Sequence, residues 1–261
     1  MDIKEIIKKR KSVRSFDGRF LADEDRKKLN EYMENIENPY GIPVKFIWLD
    51  AEEHGLSSRV IVGEHVYIAS RVPKVEHCEE ALGYSFEKMV LYACSIGIGT
   101  TWIGGTLDRG KFEKAAEIKP DEYMMIVSPL GYPAEERSRV DRMLRQKIRG
   151  DERFPASELF FEGDFSTPLA DEKALSLLES VRWYPSAANK QPCRIVKIGN
   201  KYHLYEKHTP GYQNAMAWDV QKIDMGIALC HLMCVTDGNF EIANPGIAID
   251  DGTEYIATVT A

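Results

Sequence analysis

Three short segments of the chain carry residue types that suit the binding of an anionic organic ligand. Arginine and lysine side chains hold phosphate oxygens, glycines let a ligand approach the backbone, and hydroxyl and amide side chains match the polar edge of a heterocycle. The segments are Arg10-Lys11-Ser12-Val13-Arg14-Ser15-Phe16, Gly97-Ile98-Gly99-Thr100-Thr101-Trp102-Ile103-Gly104-Gly105 and Tyr184-Pro185-Ser186-Ala187-Ala188-Asn189-Lys190-Gln191-Pro192.

Each segment also has a simpler structural interpretation. A solvated basic helix end explains the first segment equally well. The glycine-rich segment is not a dinucleotide fingerprint, because Trp102 takes the last glycine position and a helical pattern precedes it. A helix C-cap and a tight turn explain Gly97 but not Gly104 and Gly105. The third segment packs small and amide side chains between two prolines, which favours a function over a structural loop.

The five cysteines and six histidines indicate no metal site. Cys230 and Cys234 stand four residues apart with His231 between them, but no second pair has the spacing of a zinc ligand set. Their apolar surroundings favour buried thiols instead. An odd number of scattered cysteines is typical of reduced thiols, so we expect a cytoplasmic protein.

The chain is acidic overall and basic in two places. Its net charge is −7, whereas residues 1–19 and residues 137–153 each carry a net charge of +4. The acidic total argues against nucleic-acid binding, and the two basic stretches suggest a small anionic ligand more than a polymer. From charge alone, two solvated helix faces are the better interpretation. We expect neither a membrane span nor export, because no apolar stretch approaches the ~20 residues of a membrane helix and the N-terminal residues lack an apolar signal core.

An internal repeat organises the elements that must position the three segments. Leu21-Ala22-Asp23-Glu24 recurs as Leu169-Ala170-Asp171-Glu172. Each copy opens a helical pattern, over residues 26–36 and 173–181, and a strand-like run follows each, at residues 44–48 and 193–197.

The repeat continues towards the end of each half. Apolar helical segments match at residues 83–91 and 226–234, and alternating strand patterns match at residues 122–127 and 254–259. Three matches in the same order predict two α+β halves, residues 1–158 and 159–261, packed as a pseudo-dimer.

Three further helices are predicted near the segments. Residues 3–9 precede the basic segment, residues 86–96 precede the glycine-rich one, and residues 134–150 form a linker helix that Gly150 ends. No stretch rich in Pro, Gly and Ser separates the halves, so we do not expect them to move independently.

The three segments, together with Leu130-Gly131-Tyr132-Pro133, resemble four motifs of the FMN-dependent nitroreductase superfamily. The family motifs are R-R/H-S-x-R-x-F, G-L-G-T-x-W-I-G-G, L-G-Y-P and P-S-x-x-N-x-Q-P. In the family the proline motif follows soon after the basic motif, whereas here it lies in the second half. Family members are homodimers whose FMN sites take residues from both subunits, so a duplication in which each half lost what the other kept accounts for the difference. The resemblance implies an α+β, nitroreductase-like three-layer fold, two degenerate copies and one composite site.

The resemblance also implies which residues bind the cofactor. Phosphate ligands come from the basic segment, a backbone N–H beside Ile103 faces N5 of the flavin, and the proline loop lines the isoalloxazine ring. The implied ligands are Arg10, Lys11 and Ser12 for the phosphate, Arg14 near the ribityl chain or flavin edge, Gly104 or Gly105 for N5, Pro185, Ser186, Ala187, Asn189 and Gln191 for the ring, and Arg149 and Arg153 as further phosphate candidates.

The implied activity is that of an FMN-dependent NAD(P)H oxidoreductase reducing nitroaromatic or quinone-type acceptors by a ping-pong hydride mechanism. Such chemistry needs no side-chain nucleophile, and we find no Ser, Cys or His arranged as one. Two alternatives stay open, a flavin-binding or regulatory protein with little turnover and a divergent flavoenzyme such as a reductive dehalogenase. The expected partner is a small-molecule electron acceptor, and the chain is expected to be a monomeric pseudo-dimer or a weak homodimer.

Overall fold

The computed structural model of the protein describes residues 1–212 and 216–261. They mix helices and strands in an α+β fold, as the sequence predicts. The described residues divide into two compact units. Unit 1 comprises Met1, Lys9–Cys78 and Ser85–Arg149, and unit 2 comprises Asp2–Lys8, Glu79–Tyr84 and Gly150–Ala261.

The elements follow one another along the chain in a mixed order. The helices are α1 (Ile3–Lys9), α2 (Asp23–Glu34), α3 (Cys78–Ser95), α4 (Arg109–Ala115), α5 (Arg139–Lys147), α6 (Ala156–Leu159), α7 (Glu172–Arg182) and α8 (Val220–Val235), with a 3₁₀ turn at Ala187–Asn189. The strands are β1 (Lys45–Asp50), β2 (Val66–Pro73), β3 (Gly99–Thr100), β4 (Glu122–Tyr123), β5 (Val127–Gly131), β6 (Phe160–Glu162), β7 (Cys193–Ile198), β8 (Lys201–Lys207), β9 (Asn239–Glu241) and β10 (Thr253–Thr260).

Each unit contains a five-stranded sheet. In unit 1 the strand order is β1-β2-β5-β3, with β4 pairing to β2, and every pairing is antiparallel. In unit 2 the order is β6-β7-β8-β10-β9, antiparallel except between β6 and β7. Both units therefore show the same order of elements. A helix is followed by two paired strands, then by a long apolar helix, and then by a strand that pairs with the second of those two strands.

The two helices that open with the repeated tetrapeptide start one position apart. Asp171 is the N-cap of α7 and accepts hydrogen bonds from the backbone N–H groups of Lys173 and Ala174. In the first copy Ala22 is the N-cap, and Asp23 lies inside α2. Acidic residues in a first turn favour both helices through the helix dipole.

Three predicted elements differ most from the structure. The strand predicted over residues 122–127 is interrupted between β4 and β5, because the carbonyl groups of Met124 and Met125 accept hydrogen bonds from the Arg109 guanidinium. The linker helix is shorter than residues 134–150, because the Ser138 hydroxyl caps its start and the left-handed Arg149, with a φ of 51°, follows its end. The helix predicted over residues 86–96 is longer, since α3 begins at Cys78.

Two glycines permit a close helix crossing in unit 2, between the segment Glu79–Tyr84 of α3 and helix α8. A Cβ atom on Gly83 would lie 2.1 Å from the carbonyl oxygen of Ile223, and one on Gly226 would lie 2.1 Å from the carbonyl oxygen of Glu80. Each glycine thus packs against the backbone of the residue that lies three positions before the other glycine in the sequence. Only residues without a side chain fit here.

Candidate functional site

The basic segment lies along strand β3 in unit 1. The backbone N–H of Val13 donates to the carbonyl oxygen of Thr100 at 2.8 Å, and Ser12 forms a parallel bridge with Thr100. A Cβ atom on Gly99 would lie 2.8 Å from Cγ1 of Val13, so the bare glycine lets the two backbones meet. The structure therefore brings the basic and glycine-rich segments together.

The L-G-Y-P segment belongs to the same assembly. Phe16 forms an antiparallel bridge with Pro133, and a Cβ atom on Gly131 would lie 2.8 Å from Cδ1 of Phe16. Gly131 also pairs with Gly99 in the ladder between β5 and β3. Three of the four sequence motifs thus pack against one another within unit 1.

The cations of the basic segment differ in exposure. Lys11 is exposed, whereas Arg10 and Arg14 are 9% and 8% exposed. Nε of Arg10 lies 3.6 Å from Oε1 of Glu87 and, among the described residues, has no hydrogen-bond partner. Nε of Arg10 is thus buried against Glu87, and Lys11 is the cation of this segment that an anion can reach from the surface.

Arg14 is committed to a carboxylate inside unit 1. Its Nη1 donates to Oδ1 of Asp141 at 3.1 Å, and the two side chains are 10% and 2% exposed. Burial lowers the pKa of Arg14 more than Asp141 raises it, yet an arginine stays charged in a protein. Because Asp141 lies in the first turn of α5, this ion pair ties the basic segment to that helix.

Arg109, which the sequence analysis missed, fastens the end of the glycine-rich segment. Its guanidinium donates to the carbonyl oxygens of Gly104, at 2.6 Å, and Met124. In residues 1–212 and 216–261 the backbone N–H groups of Gly104 and Gly105 find no hydrogen-bond acceptor. The carbonyl group of Gly104 is therefore fixed, whereas the N–H groups of Gly104 and Gly105 are uncommitted. No motif marks Arg109, since its partners are backbone carbonyls 5 and 15 positions away that any residue type could supply.

The proline-bounded segment forms a tight loop in unit 2. Ala188, Asn189 and Gln191 have left-handed φ angles of 46°, 56° and 51°. The backbone N–H of Gln191 donates to the Ser186 hydroxyl at 2.9 Å and closes the loop. Left-handed conformations of non-glycine residues persist only where surrounding contacts enforce them, and they concentrate at functional sites.

Asp224 of helix α8 supplies the firmest of those contacts. Both of its carboxylate oxygens accept the backbone N–H of Ala187 at 3.0 Å, and the residue is 3% exposed. Burial raises the pKa of Asp224 well above its ordinary value, and the hydrogen bond from Ala187 opposes this only in part. The sequence analysis missed this residue, whose one signal is a carboxylate within an apolar helical run.

The amide side chains of the loop are bound to the chain segment that enters unit 2. Oδ1 of Asn189 accepts a hydrogen bond from Nη1 of Arg153 at 3.3 Å, and Oε1 of Gln191 accepts one from the backbone N–H of Phe154 at 2.9 Å. Gln191 is 2% exposed, so its side chain supports the loop from within. Arg153 is thus part of the loop's own network.

The sequence-predicted ligands fall into two sets. Unit 1 contains Arg10, Lys11, Ser12, Arg14, Ile103, Gly104, Gly105 and Arg149, and unit 2 contains Pro185, Ser186, Ala187, Asn189, Gln191 and Arg153. The two arginines proposed as further phosphate contacts, Arg149 and Arg153, therefore belong to different units.

Two thiols of the chain are unsuited to nucleophilic chemistry. Burial raises the pKa of Cys193 to about 12 and also raises the pKa of Cys94. Because the thiolate is the reactive form, such cysteines are unreactive at neutral pH.

The assembly in unit 1 fits the phosphate and polar edge of FMN. Lys11 offers an exposed positive donor, the exposed or half-buried glycines carry no Cβ, and two N–H groups are uncommitted. Backbone N–H groups and cations are the usual partners of phosphate and of flavin ring atoms.

Comparison with solved structures gives the same fold. A protein described as a "putative nitroreductase" from Thermotoga maritima has a TM-score of 0.60 and 18% identity, covering 100% of this chain and 94% of its own. Two shorter proteins match about half of the chain. A nitroreductase family protein from Clostridium novyi has 20% identity, covering 52% of this chain and 87% of its own, with a TM-score of 0.45. An FMN-dependent nitroreductase from Clostridium difficile has 17% identity, covering 51% and 88%, with a TM-score of 0.44.

Two sequence comparisons and one property of the helices bear on the classification. No curated protein matches the sequence significantly. In the described part of the chain, no helix combines the length and apolar character that a membrane span requires. A family model described as "Putative TM nitroreductase" matches residues 2–236, and the chain therefore belongs to this nitroreductase family.

Proposed function

We propose that the protein is an FMN-dependent oxidoreductase that uses NAD(P)H to reduce nitroaromatic or quinone-type acceptors. The observation that carries this proposal is the assembly in unit 1, where the basic segment, the glycine-rich segment and the L-G-Y-P segment pack together and leave two glycine N–H groups uncommitted. The family match over residues 2–236 supports the same reaction class.

In this proposal both sets of residues are FMN ligands, as the motif resemblance implies. Arg10, Lys11 and Ser12 hold the phosphate, and a backbone N–H of Gly104 or Gly105 donates to the flavin ring. The loop of Pro185, Ser186, Ala187 and Asn189, with Gln191 supporting it from within, binds the isoalloxazine, with Arg149 or Arg153 as an additional cation. When bound, FMN supplies hydride transfer, which the side chains of the protein cannot perform.

Two buried aspartates act as positioning residues in this proposal. Asp141 holds the basic segment through Arg14, and Asp224 holds the proline loop through the N–H of Ala187. Neither carboxylate is placed to touch a reacting atom, since both are almost fully buried. Their contribution is to fix the geometry of the binding groups, which is what flavin chemistry requires of the protein.

We also propose that the chain is a duplicated, single-chain pseudo-dimer. The crossing of Gly83 and Gly226 supports this, because each glycine meets the residue three positions before the other and the sequence repeat aligns the same two glycines. The recurring order β1-β2-β5 and β7-β8-β10 agrees with that alignment. One FMN per chain, a small-molecule acceptor, a monomer or weak homodimer and a cytoplasmic location follow from this proposal.

The first test is an absorbance spectrum of the purified chain at known concentration, followed by anaerobic addition of NADH or NADPH. We expect flavin bands at about one FMN per chain and their rapid bleaching by one of the two nucleotides. Two FMN per chain would disprove the single composite site. A protein that binds FMN but is not bleached would support a flavin-binding protein without turnover, and failure to bind FMN would overturn the proposal.

A matched pair of lysine variants tests the phosphate assignment. Lys9 and Lys11 are both exposed and two positions apart, but only Lys11 is assigned to the phosphate. Lys11→Ala should weaken FMN binding by roughly tenfold, the effect of losing ~1.5 kcal/mol of charge-assisted hydrogen bonding. Lys9→Ala should bind FMN like the wild type. Equal effects from both variants would show that only the overall charge matters.

A further inference from the structure

A cluster of three side chains in unit 2 has the composition of a metal site. Glu206 lies on β8, His208 follows the end of β8, and Asp219 is the N-cap of α8. One ligand atom from each lies within 4.8 Å of the other two. Glu206 and His208 are two positions apart on extended chain, so their side chains share a face of the strand.

Glu206 gives an independent reason to expect a ligand in this cluster. Its side chain is completely buried, and neither carboxylate oxygen accepts a hydrogen bond from the described part of the chain. Oε1 of Glu206 lies 2.7 Å from Nδ1 of His208, yet Nδ1 also makes no hydrogen bond. A protonated imidazole would make this contact an ion pair, whereas an unprotonated Nδ1 leaves two acceptor atoms arranged as ligands of one ion are.

The surrounding charges favour a cation. Glu254 stands directly opposite Glu206 in the register between β10 and β8. Lys222 is 3.1 Å from Glu254, and within residues 1–212 and 216–261 no lysine or arginine forms a salt bridge with Glu206 or Asp219. Like charges at opposed strand positions are unfavourable, and a divalent ion would compensate them.

The ligand types select the class of ion. Two carboxylates and an imidazole suit transition-metal ions such as Zn²⁺ or Mn²⁺, whereas Mg²⁺ and Ca²⁺ prefer oxygen alone. Nε2 of His208 lies 3.6 Å from Oε2 of Glu254, so a carboxylate stands on the far side of the imidazole ring. That is the outer partner that metal-binding histidines commonly have, and it favours coordination through Nδ1.

We propose that Glu206, His208 and Asp219 bind one divalent transition-metal ion through Nδ1 and one carboxylate oxygen from each acid. Asp219 can contribute while it caps α8, because only its Oδ1 is used by the N–H of Gln221. The ion joins the end of β8 to the start of α8, the helix that carries Asp224. Its role is therefore to fix unit 2, separate from the bound FMN of the proposed function.

The test is a titration of the full-length, chelator-treated protein with ZnCl₂ or MnCl₂ in competition with a chromogenic chelator. We expect one ion per chain and an increase in melting temperature on binding. His208→Ala should weaken binding at least about 100-fold, and Asp219→Asn by roughly 10–100-fold. The matched control is Asp171→Asn, since Asp171 caps α7 as Asp219 caps α8 and has no imidazole partner in its contacts.

Three results would overturn the proposal. They are the absence of a tight site for both ions, unchanged affinity in His208→Ala, and equal losses in Asp219→Asn and Asp171→Asn. Tighter binding of Mg²⁺ than of either transition metal would also refute the assigned ion class. Because no readout involves flavin or activity, the outcome is independent of whether the protein binds FMN.

Discussion

The two units fix their candidate binding segments by different interactions, an ion pair in unit 1 and a hydrogen bond to an uncharged N–H group in unit 2. In unit 1 the basic segment is fixed by a buried pair of opposite charges, Arg14 and Asp141. In unit 2 the proline loop is fixed by Asp224, whose partner is the uncharged N–H of Ala187. Burial raises the pKa of Asp224 and lowers the pKa of His203, so both buried groups favour their neutral forms. The stability of the segment in unit 1 thus depends on an intact ion pair, whereas the stability of unit 2 depends on pH.

The largest effect is expected from breaking the pair in unit 1. Asp141→Ala should lower the free energy of unfolding by about 3–5 kcal/mol, because it leaves the Arg14 charge buried without a counter-charge. Urea denaturation followed by circular dichroism measures this loss. The double variant Arg14→Met, Asp141→Leu should recover most of it, since neither charge is then present.

An exposed ion pair of unit 1 provides the control for that experiment. Arg19 and Asp17 are joined at 2.6 Å, but the Arg19 side chain is 70% exposed. Asp17→Ala should therefore change the unfolding curve little, because solvent screens both charges. If Asp141→Ala were as mild as Asp17→Ala, the buried pair would not be what holds the basic segment.

The second effect comes from removing the acceptor in unit 2. Asp224→Ala leaves the N–H of the half-buried Ala187 without its acceptor and should cost about 1–3 kcal/mol of folding free energy. It should also weaken FMN binding if the loop contacts the flavin. Asp224→Asn keeps an acceptor of the same shape and should bind FMN like the wild type, which separates positioning from charge.

The dependence on pH distinguishes Asp224 from Asp141. The folded-state pKa of Asp224 is raised above the ordinary value of 3.8, so folding takes up a proton at this residue. Its contribution to stability is complete below pH 3.8 and is lost as the pH rises towards the folded-state pKa, by up to ~1.4 kcal/mol per pH unit. Relative to wild type, Asp224→Asn should therefore gain stability with increasing pH. A stability difference that does not vary with pH would contradict a raised pKa.

The sequence predicted the parts of the site that depend on local spacing. The segments around Ser12, Gly99 and Gly131 are recognisable because each requires particular residues at fixed offsets, and the structure packs them together. The helix predicted over residues 173–181 lies within one residue of α7 at each end, and Asp171, expected in its first turn, is instead its N-cap, with partners two and three positions away. Local patterns of this kind can be recognised from a single sequence.

Residues that act over long distances in sequence could not be predicted in the same way. Asp141 and Arg14 are separated by 127 positions, and Asp224 and Ala187 by 37, so no window of sequence contains both partners. The same reason explains why the strand predicted over residues 122–127 is interrupted, since Arg109 competes for its carbonyl groups. Glu206, His208 and Asp219 were missed because only folding brings the end of β8 to the start of α8.

The smallest effect is expected at His203, and it has the opposite dependence on pH. This residue is 3% exposed in unit 2, its Nδ1 lies 2.8 Å from the Thr258 hydroxyl, and burial lowers its pKa below the ordinary value of 6.5. The unfolded chain therefore binds the proton first on acidification. The contribution of His203 is complete above pH 6.5 and is lost as the pH falls towards the folded-state pKa, at no more than ~1.4 kcal/mol per pH unit.

Unfolding by urea at pH 7.5, 6.5 and 5.5 tests this expectation with His203→Gln, which does not titrate. The stability of the wild type relative to this variant should fall between pH 6.5 and 5.5 and stay constant above pH 6.5. His54→Gln, at an exposed position of unit 1, should show no such change. If the His203 difference were independent of pH, the buried imidazole would accept its proton as easily as the unfolded chain does. In that case the acid sensitivity assigned to unit 2 would be wrong, and Asp224 alone would distinguish the two units.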